Sequence, residues 1–146
     1  MKKIIIYTDG GSRGNPGHSA VGVVFCNENA QKLKEFGEYI GEGTNNVAEY
    51  QAVIFALKKF KSVFGKELAK VADVEVRSDS ELMVSQLNGK YKIMEEGMQK
   101  LFIEVWNLKL DFEKIKFVLI SREKNKEADK MVNEVLDSRL KSQKLI

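Results

Sequence analysis

Cysteine occurs once in the 146 residues, as Cys26, so the chain cannot hold an internal disulfide framework or a zinc site built from cysteines. Cys26 sits among Val23, Val24 and Phe25 in a strand-like run and reads as a small buried hydrophobe. Long apolar runs are also missing. No stretch approaches the roughly 20 residues of a membrane span, and the short run in MKKIIIYTDGG meets Asp9 too early to be a signal-peptide core. Neither sign of charge dominates: 24 Lys plus Arg against 21 Asp plus Glu leave a net +3, which gives an anionic partner only mild support. These absences point to a soluble protein of a reducing, cytoplasmic setting without membrane association. The length and the 43% hydrophobic content suit one compact domain spanning 1–146.

What is present follows a clear order along the chain. Ile4-Ile5-Ile6-Tyr7 is a continuous β-favouring run stopped by Asp9-Gly10-Gly11, the pattern of a central strand buried on both faces. The segment Gly10 to Gly17 reads as a turn, either an ordinary one or a nest of backbone N–H groups for phosphate. Ser19 to Asn27 and Lys32 to Ile40 read as two further strands, giving an antiparallel meander. The period then becomes helical, with Tyr50, Val53, Ile54, Leu57, Phe60 and Phe64 forming one stripe between Asn46 and Phe64. Val71 to Ser78 is a fourth strand, and Ser80 to Gln86 a short helix stopped by Asn88-Gly89. A helix from Met94 carries Met98, Leu101, Val105, Leu108 and Phe112 along a seam, with Gly97 weakening its first turn. Ile115 to Ile120 makes a fifth strand. Asn125 opens a last helix whose buried side is Ala128, Met131, Val132, Val135 and Leu136, and Lys141 to Ile146 are expected to fray. The order is βββ-α-β-α-α-β-α, an α/β chain.

Four carboxylates stand at telling places in this order. Asp9 and Asp79 each close an apolar strand, at the carboxyl edge where ligands bind sheets with parallel strands. Glu49 and Asp129 lie near helix starts, toward the margins of their apolar stripes. Each acid taken singly has an ordinary role available. Glu49 follows Asn46 by three residues as in a capping pair, Asp79 could cap the short helix, and Asp129 gains from the helix dipole. Four such placements around one sheet edge argue for a shared site, but spacing alone leaves its chemistry open.

The blocks TDGGSRGNPG at 8–17, TNNVAEY at 44–50, SDS at 78–80 with QLNGKYK at 86–92, and NKEAD at 125–129 resemble type 1 ribonuclease H, in order and across nearly the whole chain. The resemblance implies a ribonuclease H-like fold, a five-stranded mixed sheet flanked by helices in the order βββαβαβα, the extra helix being a split of the middle helical region. It implies an endoribonuclease that hydrolyses the RNA strand of an RNA·DNA hybrid and leaves 5′-phosphate and 3′-hydroxyl ends. Asp9, Glu49, Asp79 and Asp129 match the metal-binding and catalytic carboxylates. Gly10, Gly11, Ser12 and Asn15 match the first substrate-contact loop, and Thr44, Asn45 and Asn46 the second. The implied cofactor is a pair of Mg2+ ions, with Mn2+ as substitute. Hard cations prefer oxygen ligands, and two of them can bracket an in-line displacement at phosphorus. Asn15, Asn45 and Asn46 are short polar groups suited to sensing 2′-hydroxyls. A monomer without an obligate protein partner is implied as well.

Two departures stand out. Many members carry a histidine in the loop before the last helix, where this chain has Ile120-Ser121-Arg122-Glu123-Lys124. Several larger members insert a basic, tryptophan-containing protrusion where Gly89 in this chain passes through Lys90-Tyr91-Lys92 into the next helix, which implies weaker hybrid affinity. Lys90 and Lys92 are either phosphate contacts or a solvated loop. Trp106, beside Val105 and Phe102, reads as a packing residue. The only histidine, His18, follows the Gly-rich segment and is expected to be a loop residue without a proton-transfer role. A non-catalytic hybrid-binding module would not need four acids, and a strand-transfer core would need partner domains.

Overall fold

The computed structural model describes residues 2–144. Five strands, β1 (Lys3–Gly14), β2 (Gly17–Asn27), β3 (Lys32–Gly43), β4 (Asp73–Ser78) and β5 (Lys114–Leu119), form one sheet in the order β3-β2-β1-β4-β5. β1, β2 and β3 are the expected antiparallel meander, whereas β4 and β5 run parallel to β1. The helices are α1 (Asn45–Phe64), α2 (Lys66–Val71), α3 (Glu81–Leu87), α4 (Glu96–Lys109) and α5 (Lys126–Lys144), the last preceded by a 3₁₀ turn at Arg122–Asn125.

β1 is buried on both sides because its residues alternate between two cores. Ile4 and Ile6 join the cluster beneath α1, which includes Tyr50, Val53, Leu57 and Phe60. Ile5 and Tyr7 join a smaller one with Cys26, Ala128 and Met131, beneath α5. Val132 and Leu136 complete the buried side of α5, and Cys26 is a buried free thiol as its surroundings required.

Several boundaries differ from the sequence expectation, each for a physical reason. Gly10 to Gly14 is strand, not turn: it pairs with Gly17 to Val21 of β2, and only Asn15-Pro16 makes the bend. Glycine-rich composition signals a turn only where no neighbouring strand offers a ladder. His18 is consequently a β2 residue opposite Arg13 and not a loop residue. β3 continues to Gly43, beyond Ile40. Val71, expected to start β4, ends the unforeseen α2 and is 60% exposed. Met94 is 82% exposed and precedes α4, which begins at Glu96. Trp106 stacks on Phe102 but is 48% exposed, so packing occupies only part of its ring. α3 and α4 are joined by residues 88–95 alone, with no inserted protrusion. Of the expected frayed end, 141–144 are helical, and 145–146 lie outside the described residues. Among the described residues no helix is long and apolar enough to cross a membrane.

Candidate active site

The parallel pairing of β1 with β4 ends at Tyr7 opposite Arg77, while β1 itself runs on beside β2. Asp9 therefore lies within a strand, not at its last residue, but just past the point where one neighbour has stopped. The backbone amides that β1 would have offered to β4 beyond this point need other partners. Gly10 N donates to Glu49 Oε1 at 2.9 Å and Ser12 N to Asn45 Oδ1 at 2.9 Å. Both acceptors come from the first turns of α1, so unsatisfied strand amides draw this helix end, and with it an acid, onto the sheet edge.

Two glycines make the approach possible. At Gly10 a Cβ would lie 2.1 Å from the Ala48 carbonyl oxygen, so any side chain would push α1 away. Gly22, the β2 partner of Asp9, does the same for α5, because a Cβ there would lie 2.2 Å from the Ala128 carbonyl oxygen. Ala48 precedes Glu49 and Ala128 precedes Asp129. Each close contact between a small residue and a helix backbone thus delivers the next residue, an acid, over the sheet edge from opposite faces.

The outcome is one cleft of about 610 Å³ lined by Asp9, Glu49, Asp79 and Asp129 together with Gly10, Gly11, Ser12, Asn45 and Asn46. Asp9, Glu49 and Asp79 each bring a carboxylate oxygen within 4.8 Å of the others. Asp129 lies outside that trio, on the exposed start of α5, where Asn133 Nδ2 donates to its Oδ2 at 3.3 Å. Of the local roles open to the acids as single residues, the dipole role of Asp129 fits its place in the first turn of α5, while both capping roles fall to other residues. Thr44 Oγ1 caps α1 by accepting from Val47 N, and Ser80 Oγ caps α3 by accepting from Met83 N. Glu49 and Asp79 are left free for the cleft. Of the expected contact residues, Asn15 and Thr44 do not line the cleft. Asn15 Oδ1 instead accepts from Asn45 N at 3.0 Å and braces the hairpin end against α1.

Burial together with like charge raises the affinity of these acids for protons. Burial first, then the charges of Asp79 and Asp129, push Asp9 up to about 8. Burial, followed by the charges of Asp9 and Asp79, holds Glu49 well above its ordinary value, against the opposing Gly10 amide and Arg122. Asp79 is raised mainly by burial, although the Arg122 charge works against it. The negative charge of the cluster outweighs that of the cation beside it, and its donors are all oxygens, the set that a hard divalent ion prefers. The residues present fit a metal of the magnesium class.

His18 points elsewhere, with Nδ1 2.7 Å from Tyr39 Oη, and does not line the cleft. Sequence reading missed Gly22, Asn133 and Arg122. Gly22 is one small residue inside a strand-like run, and only the register that sets it opposite Asp9 reveals its place at the site.

Comparison with known proteins agrees with this architecture. The family model described as reverse transcriptase-like matches residues 7–135. The chain is 35% identical over 141 residues to the bifunctional protein Rv2228c of Mycobacterium tuberculosis, covering 96% of this chain but spanning only 37% of that protein. It is 30% identical over 158 residues to ribonuclease H of Clostridium botulinum, covering 94% of this chain and 97% of the relative. The crystal structure of LC11-RNase H1 in complex with an RNA/DNA hybrid superimposes with a TM-score of 0.89 at 48% identity, over 94% of this chain and 99% of that one. Likeness of this extent in sequence and in three dimensions means that the chain belongs to the type 1 ribonuclease H family.

Proposed function

We propose that this chain is an endoribonuclease that hydrolyses the RNA strand of RNA·DNA hybrids and leaves 5′-phosphate and 3′-hydroxyl ends. The observation that carries the reading is the trio Asp9, Glu49 and Asp79, whose carboxylate oxygens converge within 4.8 Å of one another. Asp9, Glu49, Asp79 and Asp129 would hold two Mg2+ ions, with Mn2+ as substitute. Bound there, a divalent ion supplies Lewis-acid polarisation of the scissile phosphate and a water of lowered pKa.

The chain's own residues do the rest. Gly10 N fixes Glu49, and Asn133 Nδ2 steadies Asp129, so the carboxylates are aimed before substrate arrives. Ser12, Asn45 and Asn46 border the acids and present short polar groups to the ribose edge of the cleaved strand, with Gly10 and Gly11 allowing the backbone of the hybrid to come close. Asn15 and Thr44 support this surface from behind: Asn15 positions Asn45, and Thr44 holds the start of α1. Product ends of this kind need no covalent link between the chain and phosphorus, so the reaction is read as direct attack by water. The domain is taken as 1–146, acting as a monomer in the cytoplasm without an obligate protein partner.

The test is cleavage of an end-labelled hybrid by the purified protein, with magnesium, manganese or a chelator, beside duplex DNA of the same sequence. Cutting confined to the RNA strand and lost in chelator is the expected result. Equal cutting of both duplexes, or none of either, would sink the reading.

A further inference from the structure

Asp129 stands outside the converging trio of acids yet lines the same cleft, as do Asn133 and Arg13. Asn133, one helical turn further along α5, donates from Nδ2 to Asp129 Oδ2 at 3.3 Å and to the Asp129 carbonyl oxygen at 3.1 Å. Both amide hydrogens are thereby used. Turned over, the same amide would aim its oxygen at the carboxylate and repel it. Arg13 fixes which way it faces: Nη2 donates to Asn133 Oδ1 at 3.3 Å, while Nη1 stands 2.7 Å from Asp137 Oδ1. A guanidinium has donors only, so it tolerates the orientation in which the amide oxygen faces it and opposes the other.

This clamp repeats the placement of the acids one step along both elements. Arg13 follows Asp9 by four residues on β1, and strand alternation puts the two on the side that carries Ile5 and Tyr7 toward α5. Asn133 and Asp137 follow Asp129 by four and eight residues on α5 and so share its face. Arg13 therefore ties β1 to α5 next to the point where the charge of Asp129 acts on Asp9. Both partners of the Arg13–Asp137 ion pair are exposed, and such pairs add little to stability. The planar fork engages two acceptors on successive turns of the helix, an arrangement that a lysine ammonium does not reproduce. What this clamp secures is the orientation of one amide, and with it the aim of one acid.

We infer that Arg13 is a positioning residue, which locks the Asn133 amide and thereby presents the Asp129 carboxylate to the cleft as a ligand for a divalent ion. The inference rests on the metal-dependent function proposed above, and its test separates the two. In nitrogen-labelled free protein, the Asn133 side-chain amide signals in NMR report its bond to Asp129. In wild type they should move as Mg2+ is titrated, because the carboxylate they hold takes up the ion. In Arg13→Ala they should start nearer the position of an unbonded amide. The titration should then need about tenfold more Mg2+, the lower end of what losing a partner behind a metal ligand costs.

Cleavage assays give the second readout. Arg13→Ala should raise the half-saturating Mg2+ to the same extent, with kcat recovered at high Mg2+ and KM for the hybrid unchanged. Arg13→Ala combined with Asn133→Ala should be no worse than Asn133→Ala alone, since the arginine acts through the asparagine. The inference is overturned if the wild-type amide signals ignore Mg2+, or if Arg13→Ala matches wild type in those signals and in its Mg2+ requirement. It is equally overturned if the losses from Arg13→Ala and Asn133→Ala multiply while the slope of log hybrid affinity against log salt falls by about 0.9, which would make Arg13 a phosphate contact. A wild-type protein that cuts no hybrid sinks the proposed function instead, and the amide signals still decide the role of Arg13.

Discussion

Two buried acids on neighbouring strands have opposite surroundings. Glu75 of β4 is 5% exposed and Asp9 of β1 is 8% exposed, so both have left water to a similar degree. Glu75 is encircled by Arg77, Lys116 and Lys3, with Lys116 Nζ at 3.3 Å and Lys3 Nζ at 3.5 Å from Oε1. Burial alone would raise its pKa, but Arg77 above all, with the two lysines, holds it below the ordinary value. Asp9 faces other carboxylates, and burial and like charge act in the same direction, up to about 8. The fold can therefore compensate a buried acid where it needs to. Where it does not, the missing cation is a requirement of the site, not a failure of packing.

The comparison breaks first in activity. Asp9→Asn alters the proposed metal site with little change of shape, and should reduce hybrid cleavage by at least about 10³-fold, since a metal ion supplies several kcal/mol and each 1.36 kcal/mol is tenfold. Hybrid binding should remain measurable. Glu75→Gln should cut at near the wild-type rate yet lose about 1–2 kcal/mol in urea unfolding, because charged hydrogen bonds to Arg77 and Lys116 go with it. Single-turnover assays and denaturation of the two variants side by side check both halves. Equal activity in both would erase the distinction between a structural and a functional acid.

The glycines sharpen it next. Gly10→Ala places a methyl group 2.1 Å from the Ala48 carbonyl and must displace α1, whose underside is the larger core with Tyr50, Leu57 and Phe60. Gly22→Ala opposes α5, which covers two smaller clusters and has more freedom to move outward. Overpacking typically costs about 1–3 kcal/mol, and Gly10→Ala should lie at or above the top of that range with Gly22→Ala below it. Both should lose activity by more than their stability explains, since each moves an acid. Full cleavage by a folded Gly10→Ala protein would contradict the account of how Glu49 is placed.

The smallest effect is expected at His18. It lies on β2 against Tyr39 and outside the cleft, so His18→Ala should keep the cleavage rate within about tenfold, whereas a general acid or base contributes about 10²–10⁴-fold. A hundredfold loss in a folded variant would bring the histidine into the chemistry.

Much of this was legible from sequence. The stripe of α1, the buried start of β1 and the place of Asp79 at the end of β4 follow from local pattern, because burial on both faces and helical period leave strong signals in residue type, whereas Asp9, expected to close its strand, lies inside it. The continuation of β1 through Gly11 to Gly14 was not legible, since those residues are held by β2 and by the side chain of Asn45, partners distant in the chain. Nor was α2, six residues with a single buried side chain, Ala69, and so no stripe to read. The loose pairing of Arg122 with Asp79 is a product of topology, as β5 and the turn after it are brought beside β4.

The most direct test is thermal melting of the metal-free protein across pH, with and without magnesium. A carboxyl whose folded pKa is raised gives stability that is fully present below its unfolded value, near 3.8 for Asp9, and lost as pH rises through about 8. Glu75, held low, has the opposite sign: its stabilisation is present above its unfolded value and lost on acidification. Wild type should therefore lose stability between about pH 4 and pH 8, and magnesium should restore it at neutral pH by supplying the missing charge. Asp9→Asn should show a shallower loss and a much smaller gain from magnesium. Equal magnesium shifts in wild type and Asp9→Asn, or a metal-free wild type whose melting temperature rises steadily from about pH 4 to about pH 8, would contradict a cation-requiring acid centre.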